Sequence, residues 1–211
     1  MHRVLELKNL GPDLFEIGVE RAGLEYQAAD CTLLIHKDGI NSRPYVFSSH
    51  PDQDHLSFFF RRIPGGFSDW LASLRPGDPL GVGTPFGNFH PQGKNEIWLA
   101  TGTGIAPFLS VLRSHSAQVP QEFWYGTRSR ADAVFLDFLK SKTPLKVFFS
   151  REGSQNSYER QGRLSQFFEE LPVGIDLEYY LCGQSEMIRE GHRRLVLNGV
   201  LEDKLHGEAF Y

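Results

Sequence analysis

An antiparallel β-barrel followed by a parallel α/β sheet is the fold class this sequence predicts, and three observations predict it. From His2 to Thr84, short apolar runs recur roughly every ten residues, divided by turn residues, as in a barrel. At Phe89 to Asn95 the texture changes: His90-Pro91-Gln92-Gly93-Lys94-Asn95 is a polar linker containing Pro and Gly. Beyond it, apolar strand runs alternate with helix-period runs, the mark of a parallel sheet covered by helices. The domains are accordingly expected at residues 1–92 and 93–211.

The barrel elements follow from local pattern. Residues 2–9 and 13–20 alternate apolar and polar around Gly11-Pro12-Asp13, a hairpin signal. Cys31 to His36, Arg43 to Ser49, Leu56 to Arg62 and Pro79 to Thr84 supply four more strands. One helix interrupts them. Gly65-Gly66-Phe67-Ser68-Asp69-Trp70-Leu71 has a glycine entry, a Ser68 cap and a periodic apolar face, and Pro76-Gly77-Asp78 stops it. In the second half, strands are expected at Glu96 to Thr101, Glu122 to Gly126, Leu145 to Ser150 and Leu177 to Cys182. Helices are expected at Gly104 to His115, Asp132 to Lys140, Leu164 to Leu171 and Ser185 to Leu197.

Composition narrows the function. The chain has 211 residues and a formal net charge of −4, which argues against a nucleic-acid footprint. No apolar run is long enough to span a bilayer, and the N-terminus lacks a signal peptide's apolar segment. Two cysteines, Cys31 and Cys182, lie far apart, which fits a reducing compartment, so a cytoplasmic location is expected. They make no Cys-rich site, and the eight His residues are scattered without ligand spacing, so no metal centre is expected.

Three stretches carry chemistry. In Arg43-Pro44-Tyr45-Val46-Phe47-Ser48-Ser49, Arg43 and Tyr45 share one strand face, and Pro44 demotes the strand to an edge. A guanidinium beside a flat ring suits a ligand with both a phosphate and an aromatic system. Gly65-Gly66 leading into a helix start exposes backbone N–H groups to an anion, although a plain capped helix has the same composition. Thr101-Gly102-Thr103-Gly104-Ile105-Ala106-Pro107 puts glycines where a strand's carboxyl end turns into a helix, where open α/β sheets bind ligands. Pro107 falls in that helix's first turn, where its missing N–H costs nothing. Cys182-Gly183-Gln184 repeats the arrangement after the last strand, so the two loops are expected to flank one crevice.

On these residues, in this order, the chain resembles the ferredoxin–NADP reductase family, two-domain flavoproteins with a flavin-binding barrel and a Rossmann-like nicotinamide domain. Arg43 to Ser49 resembles the family's R-x-Y-S flavin motif, and Gly65-Gly66-Phe67-Ser68 its G-x-x-S pyrophosphate motif. Thr101 to Pro107 resembles the nicotinamide loop, and Cys182-Gly183 with Met187 the C-G-x-x-x-M segment. Glu208-Ala209-Phe210-Tyr211 resembles the acidic-plus-aromatic C-terminus.

The resemblance implies FAD bound by Arg43, Pro44, Tyr45, Val46, Phe47, Ser48, Phe60, Gly65, Gly66, Phe67 and Ser68, with Phe210 or Tyr211 covering the ring. It implies a nicotinamide nucleotide held by Thr101, Gly102, Thr103, Gly104, Ile105, Pro107, Gly183 and Met187, with Arg128 near its pyrophosphate. Ser150, Arg151, Tyr158 and Arg163 resemble the site for the 2′-phosphate and adenine, so NADPH is expected ahead of NADH. Glu208, Cys182 and Ser49 are the implied catalytic groups. Val46 stands where the family usually has a Ser or Thr hydroxyl near the flavin, and Ser48 or Ser49 is the expected substitute. Electrons are expected to pass to a separate ferredoxin- or flavodoxin-like protein or a small molecule, with Arg61, Arg62, Arg75 and Lys94 as a basic docking rim. Two alternatives stand beside this: a flavin reductase using free flavin, and a non-catalytic flavin- or nucleotide-binding subunit of a larger electron-transfer assembly.

Overall fold

The computed structural model describes residues 1–210. It divides into two compact units, one of residues 1–90 with 106–115, the other of residues 91–105 with 116–211.

The first unit is a six-stranded antiparallel sheet. Its strands are β1 (His2–Gly11), β2 (Leu14–Glu20), β3 (Cys31–Ile35), β4 (Ser42–Val46), β5 (His55–Arg61) and β6 (Pro79–Val82), in spatial order β4-β3-β6-β1-β2-β5. The β1–β2 turn needs a left-handed residue, and Asp13 supplies it at φ 56°. β4 ends at Val46, earlier than its apolar pattern suggests. The chain there leaves β3 for β5: Phe47 N–H donates to Asp30 O and Ser48 N–H to Ser57 O, at 3.0 and 2.8 Å. The second bond joins the two ends of the sheet and closes the barrel. Helix α1 (Phe67–Leu71) lies between β5 and β6. Inside the barrel, Val4, Ile17, Val19, Leu34, Phe47, Leu56, Phe58, Phe60, Leu71 and Leu80 form one core, the strand residues taken at alternate positions.

The second unit is a wholly parallel sheet, in order β10-β9-β8-β7-β11-β12. Its strands are β7 (Glu96–Thr101), β8 (Glu122–Thr127), β9 (Leu145–Phe149), β10 (Glu159–Gln161), β11 (Glu178–Gln184) and β12 (Leu205–Phe210). Helix α4 (Ser185–Leu197) and a 3-10 segment at Leu164–Glu170 send Met187, Leu195, Leu164 and Phe168 onto Ile97, Leu99, Trp124, Phe148, Tyr179 and Leu181. The alternate residues Trp98, Phe123, Tyr125, Val147 and Phe149 are buried too, so both sheet faces are covered, as parallel sheets require. Between β7 and β8 the chain forms a 3-10 turn at Gly102–Ile105 and then helix α2 (Ala106–Leu112), whose residues pack with the first unit. Helix α3 (Leu136–Lys142) precedes β9. The short strand β10 and the C-terminal β12 are absent from the sequence expectation. Both carry too weak a periodicity to stand alone and exist by pairing with a formed neighbour.

Candidate functional site

In the first unit the candidate ligand residues gather around Tyr45. β4 is the sheet's end strand, so Pro44 costs no ladder bond toward a further neighbour. Arg43 is exposed, its Nη1 donating to the carbonyl of the preceding Ser42 at 2.7 Å. The Tyr45 ring stands edge-on to Phe60 at 6.2 Å and tilted over Phe67 at 6.1 Å, and Phe67 meets Trp70 at 5.1 Å. This aromatic wall keeps the Tyr45 hydroxyl neutral: burial pushes its pKa up to about 12. Beside it, Gly65 takes φ 72° with open space where a side chain would be, and Gly66 packs 3.2 Å from Ile63 O through the Cβ position it lacks. Ser68 Oγ accepts from Ile63 N–H at 3.0 Å, and Asp69 Oδ2 accepts from Gly65 N–H at 2.9 Å. An exposed guanidinium and a flat apolar wall suit a phosphate-bearing flavin, but the Gly65 and Gly66 N–H groups expected to face an anion are bonded to Asp69 Oδ2 and Ile63 O instead.

Phe47, Phe60 and Ser48 of the expected flavin set, and Ser49 after them, are buried rather than presented to a ligand. Phe60 is 2 % exposed and backs Tyr45 from the core, and Phe47 is fully buried against Tyr26 at 4.1 Å. Neither Ser48 nor Ser49 offers a hydroxyl in place of the missing one at Val46. Ser48 Oγ donates to Glu16 Oε1 at 2.9 Å, and Ser49 Oγ pairs with Tyr26 OH at 2.8 Å and accepts from Ser57 N–H at 2.9 Å. Both serines are fully buried. Their polarity is consumed where the chain crosses from β3 to β5, a cost sequence pattern does not reveal. The expected basic rim is also partly spent, since Arg62 forms a salt bridge with Asp13 at 2.7 Å.

In the second unit the expected loops meet at the carboxyl ends of adjacent strands β7 and β11. Gly104 packs so closely that a Cβ would sit 2.4 Å from Cys182 O. Gly183, at φ 127°, would bring a Cβ within 2.3 Å of Thr101 Oγ1. Gln184 N–H donates to that same oxygen at 2.9 Å. Thr101 to Gly104 and Cys182 to Gln184 therefore form one backbone surface, with Thr103 and Gly102 half-exposed and Ile105 buried. β12 runs alongside in parallel register, setting Glu208 opposite Cys182, Ala209 opposite Gly183 and Phe210 opposite Gln184. Glu208 and Phe210 are thus delivered to this edge. Tyr211 lies outside the described residues. Cys182 is fully buried between β7 and β12, and Met187 belongs to the core beneath the sheet. Their contribution here is backbone and packing.

The expected phosphate residues divide. Ser150 N–H donates to Thr127 O at 3.0 Å and Arg151 N–H to Arg128 O at 2.9 Å, so the β8–β9 ladder continues past both strand ends. Arg128, Ser150 and Arg151 are exposed at that edge. Gly162 N–H donates to Phe149 O, which brings exposed Arg163 to the same edge, 4.0 Å from Glu186. Tyr158 does not join them. It sits before Glu159, which pairs with Val147, so it lies roughly 13 Å down the strand from Ser150 at the usual rise per residue. There its ring carries Lys140 Nζ at 4.4 Å. The β10 strand, unseen in the sequence, causes this displacement.

A cluster the sequence reading missed occupies a cleft of about 510 Å³ lined by Arg130, Glu152, Gly153, Ser154 and Gln155. Arg130 lies over the Phe149 ring at 4.7 Å and bonds Glu152 Oε2 at 3.1 Å, Gly153 O at 3.0 Å and the Glu159 carboxylate. Burial pushes the Glu159 carboxyl up, but donors from Asn156, Gln155 and Arg130 outweigh it and hold the pKa below the ordinary range. The Arg128-Ser129-Arg130 run gives no hint of which arginine is internal. Among the described residues no group of three or more His, Cys, Asp or Glu could hold a metal, and no helix is long and apolar enough to cross a membrane.

Comparison with known proteins adds similarities. Residues 98–193 match the model of the oxidoreductase NAD-binding domain. The xylene/toluene monooxygenase electron transfer component XylA of Pseudomonas putida is 33% identical over 185 residues, covering 80% of this chain and 53% of that protein. The toluate 1,2-dioxygenase electron transfer component of Pseudomonas putida is 29% identical, with 80% and 54% coverage. The chain thus spans about half the length of these curated relatives. The flavodoxin/ferredoxin–NADP reductase of Escherichia coli is 27% identical over 89% of this chain and 86% of its own. Among solved structures, a ferredoxin NADP+ reductase from Neisseria gonorrhoeae with bound FAD and NADP superposes with a TM-score of 0.87 at 20% identity, covering 100% of this chain and 98% of that one. Barrel, parallel sheet and glycine loops agree with these similarities, and the chain has the fold of that ferredoxin NADP+ reductase.

Proposed function

We propose that this chain is a flavin-dependent reductase that takes hydride from a reduced nicotinamide nucleotide onto FAD and passes electrons to a separate redox protein or small molecule. The observation that carries this reading is the backbone surface at the ends of β7 and β11. There Gly104 packs on Cys182 O and Gly183 on Thr101 with no room for a side chain, so the two strand ends form one backbone surface, and Gly102 beside them has open space for a flat ring. FAD supplies the redox chemistry, and the chain supplies placement and charge. Arg43 neutralises a flavin phosphate, Tyr45 packs on the ring, and Ser68 beside the Gly65-Gly66 turn meets the second phosphate that distinguishes FAD from FMN. Thr101 to Gly104 with Gly183 receive the nicotinamide, and Glu208 with Phe210 stands beside them as orienting carboxylate and ring cover. With Val46 buried and Ser48 and Ser49 bonded internally, neither serine supplies the hydroxyl that Val46 lacks. The relatives named as electron transfer components of oxygenases support an oxygenase or ferredoxin-type acceptor. Neither cysteine forms a disulfide, which supports a reducing, cytoplasmic setting.

Arg128, Ser150, Arg151 and Arg163 at one sheet edge favour NADPH, through arginine's reach to a 2′-phosphate. A second reading, NADH, is favoured by one observation: Glu152 presents a carboxylate beside that edge and ties up Arg130. Arg151→Ala decides between them. The NADPH reading expects its KM to rise at least about tenfold with that for NADH unchanged; equal or no change assigns NADH. A protein that purifies colourless and turns over free flavin would instead be a flavin reductase.

A further inference from the structure

The proposed chemistry leaves unused a buried polar network inside the first unit. Arg113, one residue past α2 and still in its hydrogen-bond ladder, places Nη1 2.7 Å from Glu16 Oε1, 2.8 Å from Ser48 O and 3.1 Å from Ser57 Oγ. Three residues earlier, Ser110 Oγ donates to Ser49 O at 2.6 Å and accepts from Ala29 N–H at 3.1 Å. Ser48, Ser49 and Ser110 are fully buried, and Glu16 is 9 % exposed. Helix α2 is thereby bound to the backbone immediately after the flavin strand β4. Pro107, Ser110 and Arg113 recur every three residues, so the stripe that carries these bonds starts in the glycine loop itself.

Stability alone is a poor explanation for this arrangement. A buried ion pair gains little over well-packed apolar residues of the same volume, because desolvation offsets its attraction. What its directed bonds supply is one fixed geometry. We propose that Arg113 and Ser110 are positioning residues, which hold helix α2 at the helical end of the Thr101–Pro107 loop and so keep that loop in the conformation that receives the nicotinamide. The proposal rests on the reading of that loop as the nicotinamide site.

The test separates geometry from stability. Arg113→Met alone strands the Glu16 carboxylate and lowers Tm. The double variant Glu16→Gln with Arg113→Met removes both charges and is expected to recover most of that Tm. Hydrogen exchange of amides 102–109 is measured on the flavin-free chain, and anaerobic bleaching of bound FAD by saturating NADPH or NADH on the loaded one. Positioning predicts that the double variant, despite its recovered Tm, exchanges these amides at least about tenfold faster than wild type. It also predicts bleaching slower by up to about 100-fold. Ser110→Ala, which removes one hydroxyl, should show a smaller rise in the same amides. Wild-type loop exchange in both the double variant and Ser110→Ala would overturn the proposal. If neither nucleotide bleaches the loaded wild-type protein, the reductase reading falls, and the exchange data on the flavin-free chain still decide whether the network holds the loop.

Discussion

The two units present their candidate ligand groups by opposite means. The first offers side chains: Arg43 and Tyr45 stand on a barrel's end strand, backed by Phe60 and Phe67. The second offers backbone: Gly104, Cys182 and Gly183 bring two strand ends into contact with no side chain between. An antiparallel strand exposes alternate residues, whereas parallel strands bury both faces and leave only their ends to meet a ligand. Substitution should therefore weaken binding in the first unit and break the architecture in the second.

Two alanines test that contrast most severely. Gly104→Ala forces a Cβ to within 2.4 Å of Cys182 O, while Gly65→Ala meets nothing within 4 Å and suffers only its φ of 72°. The first should cost about 3 kcal/mol or more in urea unfolding, the second about 1 kcal/mol. Similar losses would erase the distinction. A smaller effect separates the units by pH. The Glu159 carboxyl is held below its ordinary value of 4.5, so its contribution to stability is full above that pH and is lost as pH falls through the depressed folded value. Glu159→Gln should flatten the acid limb of the second unit's unfolding, read by hydrogen exchange in β9, and leave that of the barrel strands unchanged. Parallel profiles for wild type and variant would remove Glu159 from the acid response.

Both halves of the fold were legible because each announces itself by period: alternation in β1 and β2, and an amphipathic α4 that spans Ser185 to Leu197 as expected. The loop glycines were legible because turn chemistry is local. What stayed hidden depends on partners remote in sequence. β12 forms by pairing with β11, and its Glu208 reaches the site only through that register. Tyr158 left the expected phosphate group because β10 pairs with β9 and carries it down the strand. Ser48 and Ser49 read as ligand hydroxyls, yet Glu16, Tyr26 and Arg113 claim them from positions no motif connects.

The most direct test of the central claim mixes the protein, loaded with FAD, anaerobically with a reduced nicotinamide nucleotide in a stopped-flow spectrometer. The account predicts that the flavin stays bound through purification and bleaches within seconds with at least one of NADPH and NADH. Flavin that washes away, or bound flavin that neither nucleotide bleaches over minutes, would contradict it.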